Sequence, residues 1–172
     1  MQYPSTQFLG TTPYHLSFKK MIDHIELDQG SSVWVLEHQP VYTLGRRSLP
    51  SHIHYRNHIP LAQTDRGGQV TYHGPGQMIV YPVLRLNDWR IQPLELVDLL
   101  ETTTIEALSM LNISSNSNPL ARGIYINDQK IASIGLKIKN GYSYHGIAIN
   151  LDMDLSPFNA IVPCGNDSQR MT

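Results

Sequence analysis

The 172-residue sequence predicts an α+β fold in which a mixed, largely antiparallel sheet is flanked by helices. Two segments carry apolar residues at a helical period, and short strand-like runs lie between and after them. Turn signals at Asn127-Asp128 and Asn140-Gly141 join strand-like runs, as is typical of antiparallel β-hairpins. No Gly-x-Gly-x-x-Gly pattern opens a helix, so a doubly wound nucleotide-binding fold is not predicted.

The first half of the chain predicts one helix and five strands. Thr12-Pro13 resembles an N-cap followed by proline at the first helical position. A period of 3.6 residues continues from Tyr14 to about Leu27, and Gly30 is predicted to close the helix. The predicted strands span residues 33–37, 41–44, 59–63, 70–72 and 77–84.

The second half predicts one long helix and three strands. The helix begins at Pro93 and ends at Leu111, and a polar loop follows at 114–119. The strands are predicted at residues 123–126, 130–138 and 142–151. A short helix that begins at Ser156-Pro157 then leads to Cys164.

Length and composition indicate a single globular domain over residues 1–172. A formal net charge of -1 gives no indication of nucleic-acid binding, and no segment approaches 18 consecutive apolar residues. The N-terminus lacks the pattern of a secretion signal or a transit segment. A cytoplasmic protein without membrane or nucleic-acid partners is therefore expected.

The most informative stretch is RGGQVTYHGPGQMIVY, residues 66–81. Four glycines lie in it beside Arg66 and His73, and glycine lets backbone approach a ligand because it has no Cβ atom. The apolar run that follows predicts a buried strand that holds the loop in place. The stretch matches neither common phosphate-binding pattern. It therefore predicts a pocket, with a tight hairpin as the alternative.

Two isolated residues are candidates for chemistry. Cys164 is the only cysteine, which excludes an intrachain disulfide, and it lies in a turn between Pro163 and Gly165. From the residues alone, a catalytic and a structural thiol are equally compatible with this turn. Lys130 heads an apolar strand face, where burial would lower its pKa and make it a proton carrier. A solvated strand-end lysine is the alternative.

Histidines suggest two further sites that the sequence does not support. His52, His54 and His58 lie in a polar run without a carboxylate or cysteine partner, so no metal site is predicted. A hydrolase dyad of Cys164 with His73 or His145 lacks any protease-like context. His145 beside a strand glycine is compatible with a ligand, a base or a hydrogen-bonded core histidine, and the last is the commonest case.

Five segments together resemble the lipoyl(octanoyl) transferases, which move an octanoyl group from acyl carrier protein onto a lysine of lipoate-dependent enzymes. They are EHQPVYTLG (37–45), DRGGQVTYHGPGQ (65–77), KIASIG (130–135), HGIAIN (145–150) and PCG (163–165). Their order and spacing are those of the family, and the resemblance covers essentially the whole chain. It implies the fold of biotin and lipoate protein ligase catalytic domains.

The resemblance also implies roles for individual residues. Cys164 would be the nucleophile that carries the acyl group as a thioester, and Lys130 would favour its thiolate and carry protons. No cofactor and no metal are implied. The residues expected to line the acyl pocket are Arg66, Gly67, Gly68, Gln69, Val70, Thr71, Tyr72, His73, Ser133, Ile134, Gly135, Gly146, Ile147 and Ala148.

The implied reaction belongs to lipoate biosynthesis. The donor would be octanoyl-acyl carrier protein, and the acceptors would be lipoyl domains of 2-oxoacid dehydrogenases and the glycine cleavage H protein. Family members usually continue beyond the Pro-Cys-Gly turn, so the usual C-terminal segment is expected to be missing after Thr172. The alternatives are an ATP-dependent lipoate or biotin protein ligase and a non-catalytic module that binds an acyl group or carrier protein.

Overall fold

A computed structural model of the protein describes residues 3–55, 58–166 and 168–172, and at Cys164 only the backbone. The three α-helices in these ranges are α1 (Tyr14–Glu26), α2 (Leu86–Trp89) and α3 (Pro93–Met110). The strands there are β1 (Ser5–Thr12), β2 (Ser32–His38), β3 (Val41–Leu44), β4 (Leu61–Gln63), β5 (Val70–His73), β6 (Gln77–Val83), β7 (Asn116–Ser117), β8 (Ile124–Ile126), β9 (Gln129–Lys139) and β10 (Tyr142–Asn150). Short 3-10 helices lie at Pro50–His52, Ser156–Ala160 and Pro163–Gly165.

The strands form two sheets. The larger has the order β1-β2-β6-β10-β9-β8-β7, and the smaller has the order β4-β3-β5. Strands β1 and β2 pair in parallel, as do β3 and β4, whereas every other named pair is antiparallel. The predicted mixed, largely antiparallel sheet flanked by helices is confirmed, with its strands divided between two sheets.

Helices α1 and α3 cover opposite faces of the larger sheet. Ile79 and Tyr81 of β6 pack in one core cluster with Met21 and Ile25 of α1. The alternate residues Met78 and Val80 pack in another cluster with α3 residues such as Leu108. Because successive side chains of a strand point to opposite faces, one strand supplies both cores. The smaller sheet has its own cluster, which packs against the 3-10 helix at Ser156–Ala160.

Strand β1 was not predicted. Its sequence STQFLGTT has no apolar alternation, and Phe8 is 80% exposed. An edge strand buries little, so its hydrophobic pattern is weak. Parallel pairing with β2, interrupted by a register shift between Phe8 and Gly10, makes it a strand. The same weakness explains why β7, within the predicted polar loop, was also missed.

Both predicted caps of α1 are wrong. Thr12 ends β1 and donates its hydroxyl to the Leu9 carbonyl, so Pro13 occupies the N-cap position. At the other end the residue in the left-handed conformation directly after the helix is Asp28, with φ of 51°, and not the predicted Gly30. Its carboxylate accepts a hydrogen bond from Tyr142 Oη at 2.7 Å, a long-range contact that local sequence does not reveal.

The other predicted elements occur close to their expected bounds. Helix α3 ends at Met110, one residue before the predicted end, and strand β9 is one residue longer at each end. The predicted strand at 59–63 begins only at Leu61. Within the described part of the chain, no helix combines the length and apolarity needed to cross a membrane.

Candidate active site

A cavity of about 740 Å³ contains almost all of the predicted pocket residues. Its wall is built from the glycine-rich segment, from β9 and from β10. Every residue predicted to line the acyl pocket lines this cavity except Tyr72. The structure thus brings together three segments that are far apart in the sequence: 66–73, 133–135 and 146–148.

Tyr72 is the one predicted pocket residue that lies outside the cavity lining. Its ring packs 5.5 Å from the ring of Tyr42 and 5.6 Å from the ring of Phe158. It belongs to the core between the smaller sheet and the 3-10 helix at Ser156–Ala160. The motif shows that this residue is near the pocket, but only the packing of β5 shows which way its ring faces.

Arg66 holds the glycine-rich segment in shape. Its guanidinium donates to the Thr43 carbonyl at 2.7 Å and to the Thr43 hydroxyl at 2.8 Å, and it donates to the Gly67 carbonyl at 3.0 Å. The segment packs closely on its neighbours, since a Cβ atom at Gly45 would lie 2.5 Å from the Gly68 oxygen. Glycine at position 45 is therefore needed for backbone packing, and the fork of Arg66 stabilises the loop that forms the cavity wall.

Lys130 is buried at the cavity wall. Its residue is 2% exposed, which confirms the predicted desolvation. The amine Nζ donates to the Arg122 carbonyl at 3.0 Å and lies 5.1 Å from the centre of the Tyr125 ring. An amine held between a carbonyl and an aromatic face, and lining a cavity, is suited to proton transfer with a bound molecule.

The turn that contains Cys164 adjoins the same cavity. The Cys164 side chain lies outside what the structure describes, whereas the neighbouring residues Asn166 and Gln169 line the cavity. The chain then returns to Lys130, whose N–H donates to the Arg170 carbonyl at 2.8 Å. The predicted roles of Cys164 and Lys130 remain predictions, but the backbone after Cys164 meets the strand that carries Lys130.

Of the residues predicted to line the pocket, Gln69 and Ser133 each have a buried polar atom, Oε1 and Oγ, without a hydrogen-bond partner among the described residues. Buried polar groups are normally paired, because an unpaired one costs about 1–3 kcal/mol. Both residues come from the predicted pocket segments. These atoms are suited to hydrogen bonding with polar groups of a bound substrate.

The buried histidines His38, His73 and His145 form a polar cluster at the cavity, which His73 and His145 line. His145 Nε2 donates to Asp65 at 2.9 Å, and this hydrogen bond lowers the pKa of Asp65 to about 2. Burial lowers the pKa of His38 to about 4 and that of His73 well below its usual range. His73 Nδ1 donates to Gln77 Oε1 at 2.7 Å. The interpretation of His145 as a hydrogen-bonded core histidine matches this geometry.

The other histidine hypothesis concerned a metal. His52 Nδ1 accepts a hydrogen bond from the Leu49 N–H at 3.2 Å, and the backbone N–H of His54 donates to the Ala160 carbonyl. Among residues 3–55, 58–166 and 168–172, no group of three or more potential ligands is placed to hold a metal ion.

Several cavity residues were not singled out from the sequence. Tyr14, Tyr81, Leu94, Leu120 and Arg122 all line it. They come from α1, β6, α3 and the turn before β8, and no local motif connects these segments. Tyrosine, leucine and arginine are equally typical of ordinary core or surface positions, so only the tertiary structure reveals this role.

The two sheets, the helices on opposite faces and the cavity define the class of lipoate and biotin protein ligase catalytic domains. A crystal structure of lipoate-protein ligase A bound with ATP matches 98% of this chain and 76% of its own, with a TM-score of 0.75 and 16% identity. Biotin protein ligase from Aquifex aeolicus matches 99% of this chain and 57% of its own, with a TM-score of 0.54 and 14% identity. At these identities the likeness establishes the fold.

Sequence comparison gives the family. The family model described as the lipoyl protein ligase A/B catalytic domain matches residues 18–172, and the chain belongs to this family. An octanoyltransferase from Nitrosomonas europaea is 45% identical over 167 residues, which cover 95% of this chain and 82% of the relative. An octanoyltransferase from Dechloromonas aromatica is also 45% identical, over 94% of this chain and 80% of its own length.

Proposed function

We propose that this chain is an octanoyltransferase that moves an octanoyl group onto a lysine side chain through a Cys164 thioester. The observation that carries the proposal is the placement of buried Lys130 in the cavity beside the turn of the only cysteine. The octanoyltransferase relatives support the same reaction at 45% identity over most of the chain.

In the first half-reaction the Cys164 thiolate attacks the carbonyl carbon of the donor thioester. A free thiol has a pKa of about 8.5, and a nearby ammonium favours its thiolate. The bond from the carbonyl carbon to the donor sulfur breaks, and the departing thiolate takes a proton from Lys130. One thioester replaces another, so this exchange is nearly isoenergetic and needs no ATP.

In the second half-reaction the acceptor lysine attacks the Cys164 thioester as a neutral amine. Lys130, now neutral, takes the proton that the amine loses as the amide bond forms. The bond from carbonyl carbon to Cys164 sulfur breaks, and the Cys164 thiolate is released beside the re-formed Lys130 ammonium. Amide formation from a thioester is downhill and makes the sequence irreversible.

Apolar cavity residues would hold the acyl chain. Val70, Ile134 and Ile147 line the cavity, and Ile147 is 3% exposed. Each buried methylene contributes about 0.8 kcal/mol, so an eight-carbon chain gains substantially from such a site. Gln69 and Ser133 also line the cavity, and their side chains would bind the thioester or amide groups.

The partners would be an acyl donor and a lipoyl-domain acceptor. More specifically, we propose octanoyl-acyl carrier protein as donor and the lipoyl domains of 2-oxoacid dehydrogenases and the glycine cleavage H protein as acceptors. Arg47 and Lys137 line the cavity, and exposed Arg46 precedes Arg47 in the chain. These positive charges would favour an acidic carrier. Lys139 is paired with Glu26 at 2.7 Å and is less suited to this contact.

We also propose that residues 1–172 form a single catalytic domain. The ATP-dependent ligase alternative has less support, because the ligase structures are only 12–16% identical to this chain. At such identities the likeness supports a common fold and no particular reaction. A cytoplasmic location remains a prediction from the sequence.

The test is intact mass spectrometry after incubation with octanoyl-acyl carrier protein without ATP. We expect one octanoyl adduct, absent in Cys164→Ser and much slower to form in Lys130→Met. The adduct should then move to a lipoyl domain on a single lysine. Absence of an adduct in folded wild-type protein contradicts the proposal. Carrier binding without acylation would indicate a binding module, and a product that requires ATP would indicate a ligase.

A further inference from the structure

The peptide unit between Arg122 and Gly123 lies between two side chains of opposite charge. Its carbonyl accepts a hydrogen bond from Lys130 Nζ at 3.0 Å. Its N–H donates a hydrogen bond to Glu101 Oε1, also at 3.0 Å. A carboxylate on α3 is therefore joined to the cavity amine through a single amide group.

The Glu101 side chain is only 5% exposed, and both of its oxygens are hydrogen-bonded. Oε2 accepts from Arg122 Nη1 at 2.6 Å, while Oε1 accepts from the Gly123 N–H. Burial of a carboxylate is costly unless such partners compensate it. Asp98 binds the same Arg122 nitrogen at 2.7 Å, but its side chain is 56% exposed. The two acids thus share one arginine, and Glu101 is the buried one.

The turn packs directly on the lysine side chain. Gly123 has φ of 135°, and a Cβ atom there would lie 2.5 Å from the Ala132 oxygen. The same atom would lie 3.0 Å from Lys130 Cε and 3.2 Å from Nζ. Because there is no free space between the turn and the amine, a shift of the turn would displace Nζ directly.

We propose that Glu101 is a positioning residue that orients and polarises the Arg122 carbonyl against the Lys130 ammonium. The proposal rests on the proposed function, in which Lys130 stabilises the Cys164 thiolate. A carboxylate that accepts from an amide N–H polarises the amide, and its carbonyl becomes a stronger acceptor for a cation. Glu101 is not among the described residues that line the cavity, so it acts through Lys130 and not on the substrate.

The test is the pH dependence of Cys164 alkylation by iodoacetamide, which has one target because the chain has one cysteine. In Glu101→Gln we expect the midpoint of the alkylation rate against pH to rise by about half a pH unit or more. Lys130→Met should raise the same midpoint. In Glu101→Gln the acylation rate should fall about tenfold, less than the loss of about 100-fold or more that follows when a general acid–base group is removed. Asp98→Asn is the matched control, and it should leave both quantities unchanged because it removes only the exposed partner of Arg122.

An unchanged midpoint in folded Glu101→Gln, with only a lower melting temperature, would assign Glu101 a purely structural role and overturn the proposal. A lower midpoint would also overturn it, since Glu101 would then act as a negative charge that repels the thiolate. If Glu101→Gln does not fold, Gly123→Ala provides a second test. Its methyl group would disturb the packing of the turn on the Lys130 side chain, so the alkylation midpoint should again rise.

Alkylation uses no acyl donor, so the two proposals fail separately. If wild-type protein forms no octanoyl adduct while Glu101→Gln and Lys130→Met both raise the midpoint, the proposed reaction fails and the positioning role stands. If the adduct forms and only Lys130→Met raises the midpoint, the proposed reaction stands and Glu101 has no positioning role. An unchanged midpoint in Lys130→Met overturns both the role of Lys130 and that of Glu101.

Discussion

The side-chain amide of Gln69 occupies the space that a Cβ atom at Gly165 would need. Oε1 of Gln69 lies 1.5 Å from the ideal position of that atom, and its amide nitrogen lies 2.5 Å away. Gly165 also has φ of 68°, in the left-handed region. The glycine-rich segment and the cysteine turn are therefore in direct contact, and the contact depends on the absence of a side chain at residue 165.

Gly165→Ala is expected to slow acylation of Cys164 by tenfold or more. The new methyl group would displace Gln69 or the turn, and a misplacement of about 1 Å can cost up to about 100-fold in rate. Gly141→Ala is the matched control, because Gly141 has φ of 77° but open space around it. Both variants carry a backbone strain of about 1–2 kcal/mol. Equal acylation rates, measured by intact mass, would show that the Gln69 contact is unimportant.

Arg66→Lys is expected to destabilise the protein by about 2–3 kcal/mol, since hydrogen bonds from a buried charged group are lost. Lysine cannot reproduce the fork that reaches the carbonyl and the hydroxyl of Thr43. Thr43→Val removes the hydroxyl but keeps the carbonyl and should cost less. Denaturant unfolding measures both variants, and an Arg66→Lys variant as stable as wild type would contradict the role of Arg66 in holding the loop.

The free energy of unfolding should fall as the pH drops from about 6.5 toward 4. Throughout this range the buried histidines remain neutral in the folded state. Burial lowers the pKa of His38 from its usual 6.5 to about 4. The unfolded chain therefore binds a proton in this window that the folded protein does not. The folded state has its full stability relative to the unfolded chain only above pH 6.5. For His38 the loss amounts to up to about 3 kcal/mol on acidification.

The check is the slope of unfolding free energy against pH, measured with denaturant between pH 4 and 6.5. His38→Gln should reduce the slope whatever its effect on overall stability. His15→Gln, at an exposed position, should leave the slope at its wild-type value. A slope that His38→Gln does not change would show that His38 is not the source of the acid sensitivity.

Ile147→Phe is expected to shift the acyl preference toward shorter chains. Ile147 lines the cavity, so a larger side chain there removes space that the end of an octanoyl group would fill. In competition between octanoyl and hexanoyl carrier proteins, the octanoyl adduct should lose its advantage. Ile105→Phe is the control, because Ile105 packs in the same apolar cluster without lining the cavity. An unchanged ratio of adducts would place the acyl chain elsewhere.

The sequence by itself determined most elements of the fold and the identity of the pocket segments. Apolar periodicity is a local property, so α1, α3 and the central strands appeared close to their predicted bounds. The motifs that carry the family resemblance predicted thirteen residues of the cavity wall, but not the wall residues from α1, α3 and the turn before β8. These features depend on residues that lie next to one another in the chain.

Only the tertiary structure decided which distant groups meet. Strand β1 exists because β2 pairs with it, and Asp28 replaces Gly30 at the helix end because Tyr142 binds its carboxylate. The contact from Glu101 through the Arg122–Gly123 peptide to Lys130 joins a helix, a turn and a strand. No local pattern encodes such a contact, because its hydrogen bonds form between groups that are separated along the chain and become neighbours only when the core packs.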